Sequence, residues 1–129
     1  MLNTIELKAG AASTTITPRE SHFLFGYPFV ERRSSGTHDD LLSSALYLSD
    51  GKNRVLFVSN DVIYISKAST ARIRKGISDR TGIRTSNILI AATHTHSAPV
   101  TVDLVISAND PVIPKVDKNY LRFMEENSV

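Results

Sequence analysis

The sequence predicts an α/β fold: a mixed sheet containing a hairpin and one right-handed βαβ unit, flanked by helices. Three observations carry that expectation. Two apolar runs are separated by the turn-forming stretch Ser49-Asp50-Gly51-Lys52-Asn53, which predicts a hairpin. A capped helical stretch follows from Lys67 to Thr81. A short apolar run, Ile88-Leu89-Ile90, comes next. Strand, helix and strand at this spacing predict parallel strands joined by a right-handed crossover.

Taken in order, Leu7 to Thr17 is rich in Ala and Thr. Alternation at Ala12, Thr14 and Ile16 suits an early strand, ended by Pro18. Ser21 to Ser35 is aromatic at first (Phe23, Phe25, Tyr27, Phe29) and then polar. Gly26 and Pro28 disfavour a regular element there. The aromatic half is either a lip for binding or a loop pinned to the core, and the second is the plainer reading. Leu41 to Ser49 and Arg54 to Asp61 are the two hairpin strands. The run Val55-Leu56-Phe57-Val58 predicts burial on both faces. Ser66 caps the helix from Lys67, Ile73 and Ile77 lie four apart on its apolar stripe, and Gly82 stops it. Asn87 to Ala92 is a short buried strand. Asp103 to Pro114 reads as loop, and Asp117 opens a second helix through Tyr120, Leu121, Phe123 and Met124.

Composition bounds the function. The 129 residues are enough for one modest domain, read here over 1–129. Fifteen Lys and Arg against thirteen Asp and Glu leave a net charge of +2, too little to argue for nucleic acid. Arg72, Arg74, Lys75, Arg80 and Arg84, with Asp79 among them, read as a solvated helix face rather than an anion site. Without cysteine there is no disulfide framework, thiolate metal site or thiol nucleophile. No apolar run reaches membrane-spanning length. The stretch from Met1 to Lys8 lacks the pattern of a secretory signal, so a cytoplasmic location is the default expectation.

The chemistry centres on Thr93-His94-Thr95-His96-Ser97, directly after the buried strand. In α/β sheets, ligands bind where strands end at their carboxyl ends. In extended backbone His94 and His96 point to the same face. Two imidazoles there can bind one metal, or one can bind metal while the other meets substrate. Thr93, Thr95 and Ser97 could hydrogen-bond the rings. The alternatives are a pair of core histidines and a loop pair without a role. Gly36-Thr37-His38-Asp39-Asp40 precedes the hairpin. His38 could join a polar site and Asp39 could orient a histidine; the plainer reading is a solvated loop. Asp61, ending its strand beside the His94 strand, is open between supporting a histidine and capping the next turn. His22 is isolated among aromatics and takes no role.

The order of motifs resembles the neutral/alkaline non-lysosomal ceramidase family. The residues that carry the resemblance run from Ala9-Gly10-Ala11-Ala12 to Ile16-Thr17-Pro18. They continue through Gly26-Tyr27, Gly36-Thr37-His38-Asp39, Val58-Ser59-Asn60-Asp61, Thr81-Gly82-Ile83 and Asn87-Ile88-Leu89-Ile90 to Ala92-Thr93-His94-Thr95-His96-Ser97-Ala98-Pro99. The resemblance covers most of residues 8 to 99, and its last element is the most specific.

It implies a zinc-dependent hydrolase that cleaves the amide bond of ceramide-like N-acyl sphingoid lipids or related linear amides. It implies zinc as the cofactor, His94 as a metal ligand, His96 as the catalytic group beside the substrate amide, and His38, Asp39 and Asp61 as supporting residues. In that family zinc is held by two histidines, a glutamate and a tyrosine, and only the first histidine has a match here. The chain therefore reads as the N-terminal part of a longer catalytic domain. The expected partners are a small amide or lipid substrate and, through an uncovered surface, copies of the chain itself. Two other readings stand beside it. One is a non-catalytic fragment or binding module lacking the other metal ligands. The other is an amidohydrolase-type metal barrel, disfavoured because two or three strands precede the His-x-His motif.

Overall fold

A computed structural model describes residues 6–105 and 108–129. The first five residues of the N-terminal stretch, and positions 106 and 107 in the loop read over Asp103 to Pro114, lie outside it. Four strands and two helices follow in the order β1 (Lys8–Thr15), β2 (Leu42–Ser49), β3 (Arg54–Asn60), α1 (Lys67–Thr81), β4 (Ile88–Ala92) and α2 (Lys118–Asn127). The strands form one sheet in sequential order. β1 and β3 both lie antiparallel to β2, whereas β4 runs parallel to β3 with Val58 opposite Ile90. The mixed sheet, the hairpin and the adjacent parallel pair are those expected from the sequence.

The hairpin turn is built by Asp50. Its carboxylate accepts from the backbone N–H groups of Lys52 (2.9 Å) and Asn53 (2.5 Å), while Gly51 takes φ 85°, a conformation that costs glycine little. Helix α1 begins at Ser66, whose hydroxyl accepts from the Ser69 N–H. It ends at Gly82 in the left-handed conformation, with the Gly82 N–H on the Ser78 carbonyl. Asp117 caps α2 by accepting from the N–H groups of Asn119 and Tyr120. Each cap satisfies donors or acceptors that a helix end leaves free.

Three apolar clusters hold these elements. Behind α1, Ile73 and Ile77 pack on Val58, Ile83 and Ile88. Under α2, Tyr120 and Met124 pack on Ile16, Val62 and Ala98. Phe23 and Phe25 pack on Ile63 and Val100. Tyr120 donates from its hydroxyl to the Ile16 carbonyl at 3.1 Å, and burial pushes its ionisation above the ordinary phenol range. Arg72 of α1 clasps Glu125 of α2 with two hydrogen bonds of 2.7 and 2.6 Å. Burial pushes the Glu125 carboxyl up, but Arg72 and Ser69 outweigh it and hold it below the ordinary value.

Two expectations of burial change, and the first is that the strand over Asn87 to Ala92, read as buried, leaves Leu89 48% exposed. The run Val55 to Val58 predicts burial on both faces, yet Phe57 is 41% exposed while Val58 is 2% exposed. The cause is topological. The α1 cluster covers the face that carries Ala45, Tyr47, Leu56, Val58, Ile88 and Ile90. On the opposite face Ala11, Leu46, Phe57 and Leu89 stand in one cross-strand row, and no described layer covers it: Leu46, Phe57 and Leu89 are all exposed.

Candidate functional site

Past their paired residues, β3 and β4 keep running side by side. The Thr93 N–H donates to the Asn60 carbonyl at 3.0 Å, and the His94 N–H donates to the Val62 carbonyl at 3.1 Å. Val62 and Ile63 are buried, so this extension rests on the core. His94 then turns into the left-handed region at φ 64°. A β-carbon disfavours that conformation, though histidine enters it more readily than most residues. Such strain persists where surrounding contacts fix it, and it gathers at functional sites. Here the Val62 bond and a second bond, from His94 Nδ1 to the Ile63 carbonyl at 3.0 Å, do the fixing. A carbonyl oxygen only accepts, so Nδ1 is the donor, and the neutral ring in this tautomer keeps its lone pair on Nε2. His94 is exposed, which leaves that lone pair available to a ligand.

The sequence places the two histidines together through an extended backbone. The structure brings them together differently, since β4 ends at Ala92 and His94 is left-handed. Their rings still meet, with centroids 5.2 Å apart and planes at 73°. They belong to a longer aromatic series. Phe25 meets Tyr64 edge-on at 6.1 Å, Tyr64 meets His94 at 5.1 Å, and His96 meets Tyr27 at 5.2 Å. Edge-to-face contacts of this kind favour defined ring orientations.

The aromatic loop supplies both ends of that series, and it is pinned at one part and exposed at another. Phe23 and Phe25 are buried, whereas Tyr27 and Phe29 are exposed. The Phe25 N–H donates to the Ala98 carbonyl at 3.0 Å, and the Leu24 N–H to the Arg32 carbonyl at 2.8 Å. At Gly26, with φ 132°, a β-carbon would lie 2.5 Å from the His96 ring; only glycine lets the backbone come so close. The Arg32 guanidinium lies 4.5 Å from the centre of the Tyr27 ring and donates from Nη1 to the His96 carbonyl at 2.9 Å. Phe29, left-handed at φ 58°, donates its N–H to Asp110 at 2.6 Å. Burial pushes the Asp110 carboxyl up, but the N–H groups of Phe29, Val112 and Ile113 outweigh it and hold it below the ordinary value.

His38, Asp39 and Asp61 line a different concavity of about 1030 Å³, shared with Thr95 and Ser97; His94 and His96 are not among its walls. His38 and Asp39 bond each other at 2.8 Å with side chains 97% and 89% exposed. Asp61 accepts from the Leu42 N–H at 2.9 Å, and its own N–H donates to the Leu42 carbonyl at 2.9 Å. The two sets thus flank the same segment, whose histidines face one way and whose Thr95 and Ser97 face the other. Among the described residues no group of three or more His, Cys, Asp or Glu is placed to hold a metal. His22 stacks at a tilt on Tyr120, 5.3 Å away.

Residues 7–108 match the family pattern described as neutral/alkaline non-lysosomal ceramidase, N-terminal. The chain belongs to that family. Two solved structures show the same fold. One is described as the crystal structure of neutral ceramidase from Pseudomonas aeruginosa: it has a TM-score of 0.80 and 20% identity over 98% of this chain. The other, described as a ceramidase complexed with C2, has a TM-score of 0.80 and 19% identity over 98%. This ceramidase-family chain spans about a fifth of each of those proteins (21% and 20% of their chains). No helix among its described residues is long and apolar enough to cross a membrane.

Residues not singled out in the sequence complete the surroundings of the histidines. Ile63 and Tyr64 lie just past the carboxyl end of the parallel neighbour of β4, a place the βαβ pattern could have flagged. Arg32 comes from a distant loop, and nothing local marks it.

Proposed function

We propose that this chain supplies the His94–His96 part of a zinc-dependent hydrolytic site that cleaves the amide bond of ceramide-like N-acyl sphingoid lipids or related linear amides. The observation that carries the proposal is the bond between His94 Nδ1 and the Ile63 carbonyl. A ligating histidine commonly gives its other nitrogen to such an acceptor, which fixes the tautomer and the ring.

The donor set fits one part of a zinc site. His94 would hold the ion through Nε2. A catalytic zinc takes three protein ligands and keeps a position open, so further ligands would come from outside the described residues. When bound, zinc supplies a Lewis acid and makes hydroxide available near neutral pH. His96 has ring nitrogens free of hydrogen-bond partners among the described residues. It would donate a hydrogen bond to the amide carbonyl oxygen as that oxygen gains charge. The exposed rings of Tyr27 and Phe29 give the neighbourhood an apolar wall suited to a hydrocarbon chain.

The competing reading is a non-catalytic binding segment, favoured by the lack of a three-ligand group among the described residues. The deciding experiment measures zinc content and hydrolysis of a fluorescent N-acyl sphingosine by the full-length polypeptide. Under the hydrolase reading, His94→Ala loses both, while His96→Ala keeps zinc and loses turnover. A wild-type protein that neither holds zinc nor cleaves the amide would leave the binding-segment reading.

A further inference from the structure

His94 and His96 are oriented by different means. His94 is tied through a ring nitrogen. A group that must donate a hydrogen bond to a reacting oxygen cannot be held by the nitrogen it needs, so its orientation has to come from packing and from its backbone. His96 is held in that second way. Its ring lies over Gly26, where a β-carbon would approach to 2.5 Å, and between the rings of His94 and Tyr27, at 5.2 Å from each.

Tyr27 is itself 47% exposed, so it needs support to act as a wall. Arg32 provides it. The guanidinium lies 4.5 Å from the Tyr27 ring centre, within the range of a cation–π contact, and Nη1 donates to the carbonyl of His96 itself at 2.9 Å. One planar cation thus braces the peptide of His96 directly and its imidazole through Tyr27. A merely solvated arginine would turn to water or to its neighbour Glu31. Glu31 instead pairs with Arg33 at 3.5 Å, and Arg32 is half-buried against the histidine segment. The Leu24 N–H on the Arg32 carbonyl at 2.8 Å fixes the backbone from which the side chain reaches across.

We propose that Arg32 is a positioning residue for His96, acting through the His96 carbonyl and the face of Tyr27. The proposal rests on the reading of His96 as the group that meets the substrate carbonyl, but the brace can be tested without turnover. The full-length protein, isotope-labelled at histidine, is compared with Arg32→Met, Arg32→Lys and Tyr27→Leu, each checked for an intact fold by circular dichroism. In Arg32→Met the ring-proton resonances of His96 move toward those of a free histidine, and the displacement imposed by the Tyr27 ring falls by about half or more, while His94 stays in place. Tyr27→Leu gives the same change. Lysine can take up one of the two contacts but not the flat fork, so Arg32→Lys recovers only part of it.

Turnover of N-acyl sphingosine in Arg32→Met drops roughly tenfold to a hundredfold, as a small misplacement near reacting atoms can cause. The loss falls on kcat, and zinc content is unchanged. A folded Arg32→Met protein whose His96 resonances match the wild type overturns the proposal, whatever its activity. If Arg32→Met fails to fold, Tyr27→Leu and Arg32→Lys decide the same question. If His96 loosens as expected while the wild type cleaves no amide, the brace stands and the hydrolase reading falls.

Discussion

The imidazole of His94 is locked to the backbone of Ile63, 31 residues earlier, by a 3.0 Å hydrogen bond between Nδ1 and the carbonyl oxygen. Neutral His94 is therefore expected in the tautomer with hydrogen on Nδ1, visible as distinct ring-nitrogen shifts in a long-range proton–nitrogen spectrum. Added zinc should perturb Nε2 and leave the Nδ1 hydrogen in place. A spectrum with hydrogen on Nε2 would contradict the lock, and with it the assignment of His94 as a ligand.

Asp61 serves as a splice between strands. Its carboxylate accepts from the Leu42 N–H while its own N–H donates to the Leu42 carbonyl, tying the start of β2 to the end of β3. Asp61→Ala is expected to cost about 1 kcal/mol, the usual net worth of such a bond, measured by urea unfolding. Under the proposed zinc reading, metal binding should not follow, because His94 is held by Val62 and Ile63.

The parts of the fold written in local chemistry were legible in the sequence. Ser66, Gly82 and Asp117 mark helix ends because capping needs only a neighbour or two. Asp50 and Gly51 mark the hairpin for the same reason. The adjacency of β3 and β4 followed from the helix between them. What failed to show depends on contacts distant in sequence. Phe57 looks like core until the layer over its face is sought. The left-handed turn at His94 depends on carbonyls of Val62 and Ile63. Arg32 meets His96 across 64 residues. His38 and Asp39, placed by resemblance, share a concavity with Asp61 rather than with the histidine rings.

The uncovered sheet face gives a prediction about association. Leu46, Phe57 and Leu89 stand in one cross-strand row and are 43%, 41% and 48% exposed. Contiguous exposed apolar surface tends to find a partner. The isolated chain is expected to associate in a concentration-dependent way during sedimentation. Leu89→Lys and Phe57→Lys should shift it toward monomer with little loss of stability, since neither residue packs behind α1. Association unchanged in both variants would locate the contact elsewhere.

Asp110 makes the Phe29 turn sensitive to acid. Its carboxyl is held below its ordinary value of 3.8, so the ionised form is favoured by folding. The sign follows from linkage: the contribution is complete above about 4, the unfolded value, and is lost as pH falls through the lower folded value. Protection of the Phe29 and Val112 amides, measured against their intrinsic exchange rates, is therefore expected to fall below about pH 4, ahead of protection in the β2–β3 pair. Asp110→Asn should open the same turn at neutral pH. One amide oxygen cannot replace the two oxygens that separately accept from Phe29 and Val112.

The last prediction follows from counting ligands. Zinc sites draw their affinity from several deprotonated side chains closing on one ion. The described residues bring His94 and His96 together, but no group of three or more His, Cys, Asp or Glu among them is placed to hold a metal, and His38, Asp39 and Asp61 face another concavity. The 129-residue chain on its own is expected to bind zinc weakly and to cleave amide at a negligible rate, even though the His94 ring is already held by the Ile63 carbonyl. The measurement is zinc binding by equilibrium dialysis together with hydrolysis of a fluorescent N-acyl sphingosine, with His94→Ala alongside. Turnover that depends on both zinc and His94 would refute the expectation. It would mean that association of copies, or a rearrangement bringing Asp61 or His38 across to the histidines, completes a site that one copy does not hold.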